Sequence, residues 1–324
     1  MKSYIAGVGV YVPEKILTNA DFEKMVDTSD EWIRTRSGIR ERRIAEDSVA
    51  TSDLATIAAQ RALESAGISP RDLEAIILGT ATPDMLFPST ACLVQSKIKA
   101  KNVISFDISA GCTGFLYGLN IADSFIKSGL DNVLVIGAEA LSKVTDFTDR
   151  TTCVLFGDGA GAAIVKKASD DRAIISSYFA ADGKSWNLLH QPAGGSKIPA
   201  SYESVEKRLH YIKMEGNEVF KLAVRAMTEA AIETLKKANI SPDKVDLLIP
   251  HQANIRIIEA TAKRLNIPMD KVCVNLDKYG NTSAASIPIA LEEAMKDNKI
   301  KKGDLLLMVA FGAGFTWGGV LVRW

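Results

Sequence analysis

The sequence predicts an α/β protein made of two similar halves, and three observations carry that expectation. Helical and strand patterns alternate along most of the 324 residues, the arrangement of a sheet flanked by helices. An internal repeat relates the two ends of the chain: "ALESAGISPRDLEAIILGTAT" (62–82) lies over "TLKKANISPDKVDLLIPHQAN" (234–254), with the shared "ISP" at 68 and 240, an offset of 172. Past an indel, "NVISFDISAGC" (102–112) lies over "KVCVNLDKYGN" (271–281) at an offset of 169, which sets Cys112 against Asn281. The halves so defined run over 1–170 and 171–324, two α/β sheets packed through central helices.

The elements follow in order. "YIAGVGVYVP" at the start reads as a strand; it lacks a signal-peptide cleavage pattern and the third glycine of a dinucleotide fingerprint. Residues 103–108, "VISFDI", form a short buried strand, and "FLYGLNIADSFIKSG" forms a mostly apolar helix ending at Gly129. "FGDGAGAAIV" and "FGAGFTWGGVLV" read as hairpin turns between strands. Residues 171–215 carry "AADGKSW" and "QPAGGSKIP" and read as surface loops. In the second half, Pro250 stops a strand directly before His251, Asn254 opens the amphipathic helix "NIRIIEATAKRL", and "VCVNL" is a strand leading to Asn281.

Composition narrows the function. With 39 basic and 39 acidic residues, no net charge draws the chain to nucleic acid or an anionic membrane. The apolar runs fall short of the ~20 residues of a membrane span. Cys92, Cys112, Cys153 and Cys273 form no C-x-x-C pair, which fits reduced thiols in a cytoplasm, and the three histidines at 190, 210 and 251 are too few and scattered for a metal cluster.

Cys112 is the first candidate for chemistry. A lone cysteine is by default a small buried filler, but this one sits between a strand and a helix. At a helix N-terminus, unpaired N–H groups and the dipole lower a thiol pKa, so a nucleophile near neutral pH is expected here. Gly111 and Gly114 leave room for a sharp turn and a close substrate. His251 and Asn281 follow strand ends in the other half, and ligands in α/β sheets bind outside the carboxyl ends of strands, so the three residues converge on one pocket.

Together, "DISAGCTGFLYGL", "IPHQANIRII", "YGNTSAAS", "FGDGAGA" and "FGAGFTWGG" resemble the β-ketoacyl-[acyl carrier protein] synthase III family, the initiating condensing enzymes of dissociated fatty acid synthesis, and the likeness runs from "IAGVGVYVPE" to Trp324. Thiolases have a second cysteine where Asn281 stands, and elongating condensing enzymes a second histidine. The resemblance implies a thiolase fold, two duplicated halves in five α-β-α-β-α layers, and a cytoplasmic homodimer with two sites. It implies that Cys112 carries an acyl group from an acyl-coenzyme A, that the backbone N–H groups of Cys112 and Ala313 form the oxyanion hole, and that His251 and Asn281 stabilise the enolate left when a malonyl-carrier thioester loses carbon dioxide. Alanine at 313 would be strained if its φ were positive. By the same resemblance Trp32, Arg36 and Arg150 hold the coenzyme A nucleotide, Asn217 and Asn254 lie along the pantetheine arm, Phe87 walls the partner's acyl pocket, and Arg256 docks the acidic carrier protein. Coenzyme A thioester is substrate, and no metal or other cofactor is implied. Two other readings stay open: an acyltransferase or secondary-metabolite condensing enzyme on the same fold, and a non-catalytic acyl-carrier binding protein.

Overall fold

Residues 2–324 are described by a computed structural model. Nine strands build two principal sheets: β1 (Ser3–Tyr11), β2 (Ala75–Gly79), β3 (Ile104–Ile108), β4 (Asn132–Glu139), β5 (Gly159–Lys167), β6 (Ala173–Ala181), β7 (Leu247–Pro250), β8 (Leu305–Gly312) and β9 (Thr316–Arg323). The first sheet has the order β1-β5-β4-β2-β3 and the second β6-β9-β8-β7. The orders match strand for strand, and where the second sheet lacks a fifth strand, a single parallel bridge joins Leu248 to Val272. The pair β4–β2 of the first sheet and its counterpart β8–β7 of the second are parallel, and the remaining neighbours towards β1 or β6 are antiparallel.

Seven longer helices complete the layers: α1 (Asp30–Ser37), α2 (Thr51–Ala66), α3 (Thr90–Lys97), α4 (Gly114–Lys127), α5 (Gly216–Ala238), α6 (Ile255–Leu265) and α7 (Ser286–Lys296). Alternate residues of a strand face opposite sides, and both sides here are apolar. In β8, Leu306, Met308 and Ala310 point to the centre of the molecule, where α4 and α7 lie between the sheets. Leu307, Val309 and Phe311 point outward onto α5 and α6. In the first sheet Ile77, Val133 and Val135 face α4, while Ile76, Leu134 and Ile136 face α2 and α3. Burial on both faces explains the continuous apolar runs "AIILG" and "VLVIGA" in place of alternation. The five α-β-α-β-α layers implied by the resemblance are the architecture observed.

One hairpin expectation holds and two local expectations change. "FGAGFTWGG" is the β8–β9 hairpin, with Gly312 paired to Thr316. "FGDGAGA" is not a tight turn: β4 and β5 are joined by a long connection, and Phe156 forms a parallel bridge to Asn281 of the other half. The repeat also keeps its offset of 172. The Gly111–Thr113 turn before α4 corresponds to the Ser283–Ala285 turn before α7, and Gly111 (φ +52°) and Ser283 (φ +47°) share a left-handed backbone. Gly111 therefore matches Ser283, and Asn281 stands before this turn instead of opposite Cys112.

Candidate active site

A cavity of about 440 Å³ lies where the two sheets meet, and Cys112, His251 and Asn281 all line it. Cys112 is presented on the 3₁₀ turn Gly111–Thr113 that leads into α4. Gly111 needs its left-handed backbone, and a Cβ there would stand 2.8 Å from the Ala313 nitrogen. The β8–β9 loop thus presses backbone to backbone on the turn that carries Cys112, and a Cβ on Gly312 would come within 2.4 Å of the Cys112 nitrogen. Neither the Cys112 nor the Ala313 N–H is donated to another backbone carbonyl among the described residues. The left-handed position of the loop falls on Gly314 (φ +149°), so the strain considered for Ala313 does not arise.

Burial outweighs the helix end at Cys112. Withdrawal from water pushes its thiol up to about 12, the nearby Glu139 charge adds to the rise, and the Ser283 hydroxyl and the residue's own N–H oppose it. A helix terminus supplies roughly 0.3–1 kcal/mol, whereas full desolvation moves a pKa by as much as ~3–5 units. The depressed pKa expected from the sequence is therefore corrected: the thiol is neutral until its proton is taken.

His251 follows β7, its N–H bonded to the Val309 carbonyl at 2.8 Å, and only 3% of it is exposed. Burial holds its imidazole down to about 3, hence neutral. Nδ1 lies 2.7 Å from Ser286 Oγ; when that hydroxyl donates to Nδ1, Nε2 carries the ring's single hydrogen and is free to donate. Gln252 fixes the loop beside it, donating to the carbonyls of Pro250 and Cys273 and accepting from Asn275 N–H.

Asn281 is held from the opposite half of the chain. Its N–H donates to Leu155 and its carbonyl accepts from Gly157. That segment is braced in turn by the wholly buried Arg42, which donates to the Val154 carbonyl and, at 2.7 Å, to Asn19 Oδ1. Asn281 Oδ1 accepts from Ser283 N–H at 2.9 Å, leaving the Nδ2 hydrogens as its donors.

The coenzyme and carrier candidates gather at the open end. Trp32 and Arg36 on α1, Asn217 on α5, and Asn254 and Arg256 at the start of α6 all line the cavity. The Arg150 guanidinium lies 5.4 Å from the Trp32 ring centre and pairs with Asp27. Asn254 is engaged at both ends, capping α6 through Arg256 N–H and donating to the Arg36 carbonyl. Arg256 is exposed over Phe220. Phe87, 84% exposed, stands outside the cavity of its own chain.

The sequence reading missed Ser286, Gln252, Arg42, Ser283 and Glu139. Glu139 is the most informative: a carboxyl at the end of an apolar strand, fully buried, accepting from Thr82 Oγ1 (2.7 Å), Ala81 N–H (3.1 Å) and Thr80 Oγ1 (3.2 Å). Burial raises its pKa to about 7 against these bonds. An acid within "VLVIGAE" was the available signal. Cys92, Cys153 and Cys273 are free thiols; burial raises the last two to about 11.

Residues 106–183 match the family model for 3-oxoacyl-[acyl-carrier-protein (ACP)] synthase III, and residues 235–324 match its C-terminal counterpart. The β-ketoacyl-[acyl-carrier-protein] synthase III of Caldanaerobacter subterraneus subsp. tengcongensis is 61% identical over 321 residues, covering 99% of this chain and 97% of that one. That of Clostridioides difficile is 56% identical, covering 100% and 98%. The crystal structure of 3-oxoacyl-[acyl-carrier-protein] synthase III from Aquifex aeolicus VF5 superposes with a TM-score of 0.92 at 56% identity, covering 99% of this chain and 100% of that one. With the two matches falling on the segments that carry Cys112 in one half and His251 and Asn281 in the other, and with identity above one half along full-length relatives, the chain belongs to the 3-oxoacyl-[acyl-carrier-protein] synthase III family.

Proposed function

We propose that this enzyme begins fatty acid synthesis by taking an acyl group from coenzyme A onto Cys112 and condensing it with malonyl-[acyl carrier protein]. The observation that carries the reading is the convergence of one thiol, two unspent backbone N–H groups and two neutral donors on one cavity. Attack by the Cys112 sulfur on the thioester carbonyl builds negative charge on oxygen, which the N–H groups of Cys112 and Ala313 receive. Coenzyme A departs as the free thiol, carrying the proton that Cys112 gives up, and leaves acyl-Cys112. A malonyl thioester then loses carbon dioxide. The enolate oxygen accepts from His251 Nε2 and Asn281 Nδ2, and because neither donor is charged, neither must give up a proton to act. The enolate carbon attacks the acyl group, the bond to Cys112 breaks, and a β-ketoacyl-carrier thioester departs.

The open end suits the long arm of these substrates. Trp32, Arg36 and Arg150 offer an indole face and guanidinium groups to a nucleotide, Asn217 and Asn254 lie along the path inward, and exposed Arg256 faces an acidic carrier. A homodimer is supported by the free edge of the first sheet, where Ile104 of β3 is 49% exposed, and by the consecutive exposed Met85, Leu86 and Phe87. Phe87 would then close the partner's acyl pocket. Reduced cysteines support a cytoplasmic location; no helix among the described residues is long and apolar enough to cross a membrane. The proposed chemistry calls for no metal or redox cofactor.

Intact-mass measurement after incubation with a panel of acyl-coenzyme A thioesters tests the reading. One acyl adduct is expected on the wild type and none on Cys112→Ala, followed by carbon dioxide release when malonyl-carrier protein is added. A full adduct on Cys112→Ala refutes it.

A further inference from the structure

The turn-rich stretch between the halves supplies part of the cavity wall. Leu189, His190 and Gln191 line the cavity as this stretch leaves it, and Ile212 and Met214 line it on the return. A two-stranded ribbon closes the base of the excursion, pairing Leu189 with Met214 and His190 with Lys213. From the connection after β4, Leu141 and Val144 reach the same cavity. Apart from His190 and Gln191 these side chains are apolar, and the coenzyme and carrier candidates gather at the open end, so this wall is the one offered to the hydrocarbon of an acyl group.

The excursion is fastened at two points. Among the described residues, those from 191 to 212 make hydrogen bonds to the rest of the chain only on the connection after β4. The Ile212 N–H donates to the Val144 carbonyl at 2.9 Å. The Arg208 guanidinium donates to both oxygens of the Asp146 carboxylate, from Nε at 2.7 Å and from Nη2 at 2.5 Å.

The surroundings hold this pair in place. The Asp146 side chain is 4% exposed and also accepts from Thr148, from its N–H at 2.9 Å and its hydroxyl at 2.6 Å. Arg208 and Thr148, working against burial, keep the Asp146 carboxyl well below the usual carboxylate range, so it stays ionised. On the other side, the Tyr211 ring centre lies 4.9 Å from the guanidinium carbon. Arg208 takes a left-handed backbone (φ +54°) just past the short helix Tyr202–Glu206, where glycine is the usual residue. Glycine would relieve that backbone but could not supply the fork.

We propose that Asp146 and Arg208 are positioning residues for primer choice: their bidentate pair holds the 189–214 wall against the Leu141–Val144 turn and so fixes the depth of the acyl end. Neither residue touches substrate. Asp146 stands two positions after Val144 and Arg208 four before Ile212, so loosening the pair frees both walls where they are tied together. The cavity then deepens, and acyl chains longer than the preferred primer fit. One methylene changes discrimination in an apolar site by about 10–200-fold, so a small retreat of this wall alters which primer is loaded.

The inference rests on the acyl-Cys112 reading, and one experiment separates the two. Adduct formation at subsaturating substrate is followed by intact mass for straight-chain acyl-coenzyme A thioesters from acetyl to octanoyl, with melting temperature measured alongside. Arg208→Gln and Asp146→Asn, which lose the ion pair at little change of size, should lower the preference for the best wild-type primer over its next longer homologue by about 10-fold. Arg208→Lys keeps the charge without the fork and should recover only part of that preference. A preference unchanged within about threefold while the melting temperature falls shows a merely structural contact and overturns the proposal. A loss equal at every chain length also overturns it, because the pair would then serve the coenzyme end through Arg150. If one of the two variants fails to fold by circular dichroism the other decides, and Arg208→Lys if neither folds, an unchanged preference in the deciding variant overturning the proposal. No wild-type adduct with any primer overturns the proposed function itself, and this inference with it.

Discussion

Replacing Asn281 by aspartate and by alanine separates what its two side-chain atoms do. Oδ1 accepts from Ser283 N–H at 2.9 Å, and the backbone is pinned to Leu155 and Gly157, so only Nδ2 is available to an enolate. Alanine removes both atoms. Loss of one oxyanion donor costs roughly 10²–10³ in rate, or ~2.7–4.1 kcal/mol at 1.36 per tenfold. It also strands the buried Ser283 N–H, costing about 1–3 kcal/mol of stability. Aspartate keeps the acceptor and the turn, and replaces the donor with a second acceptor. If ionised, it repels the enolate by as much as ~4 kcal/mol at ~4 Å and an effective dielectric near 20. The two variants should therefore cross, with alanine the less stable and aspartate the less active. Each variant is first acylated and checked by mass; carbon dioxide release and product are then followed separately, with urea unfolding for stability. Acylation should survive in both. Aspartate decarboxylating faster than alanine at neutral pH, or acylation slowed as much as decarboxylation, refutes this division of labour.

Further outcomes follow from charge and exposure. Arg256→Glu should raise KM for malonyl-carrier protein and flatten its salt dependence while leaving self-acylation from acyl-coenzyme A little changed; equal loss in both half-reactions indicates damage to the cavity. Glu139 has a folded pKa of about 7 against 4.5 for an unconstrained carboxyl, so the folded state binds that proton more tightly. The stability it lends is complete below about pH 4.5 and is lost as pH rises through 7, about 3 kcal/mol in all. Urea unfolding should accordingly show Glu139→Gln gaining on wild type by up to that amount between these pH values; a constant difference contradicts the raised pKa. Ile104→Lys on the exposed edge of β3 should shift the chain towards monomer by light scattering, and an unchanged mass removes that edge from the proposed interface.

The parts legible in the sequence are those that local pattern determines. The duplication shows because each half repeats the same helix, loop and strand around "ISP". Cys112 and His251 show because strand ends and glycines mark them. Asn281 was found through an alignment that the structure shifts: Gly111 is the counterpart of Ser283, and a serine with φ +47° carries no glycine to reveal it. The Cys112 pKa departs from the depressed value expected because a helix start is a local signal, whereas desolvation comes from residues of both halves that surround the sulfur in the cavity. Glu139, Arg42 and Ser286 act through partners at least 35 positions away, on Thr82, Val154 and His251, and no periodicity in one strand or helix encodes such contacts.

The contact between Gly111 and Ala313 has a consequence for the life of the chain. Of the two N–H groups proposed to receive the oxyanion, one belongs to the turn before α4 and the other to the β8–β9 loop, some 200 positions later. A newly made first half therefore possesses its cysteine but only half of the device that makes the sulfur useful. On the proposed mechanism, acyl loading becomes possible only once the second sheet has docked and the last hairpin has been laid against the first. The chemistry would thus act as a certificate of completed assembly: an unfinished or half-unfolded molecule would neither sequester acyl groups nor waste coenzyme A thioesters, and loading at Cys112 would report the final joining of the halves.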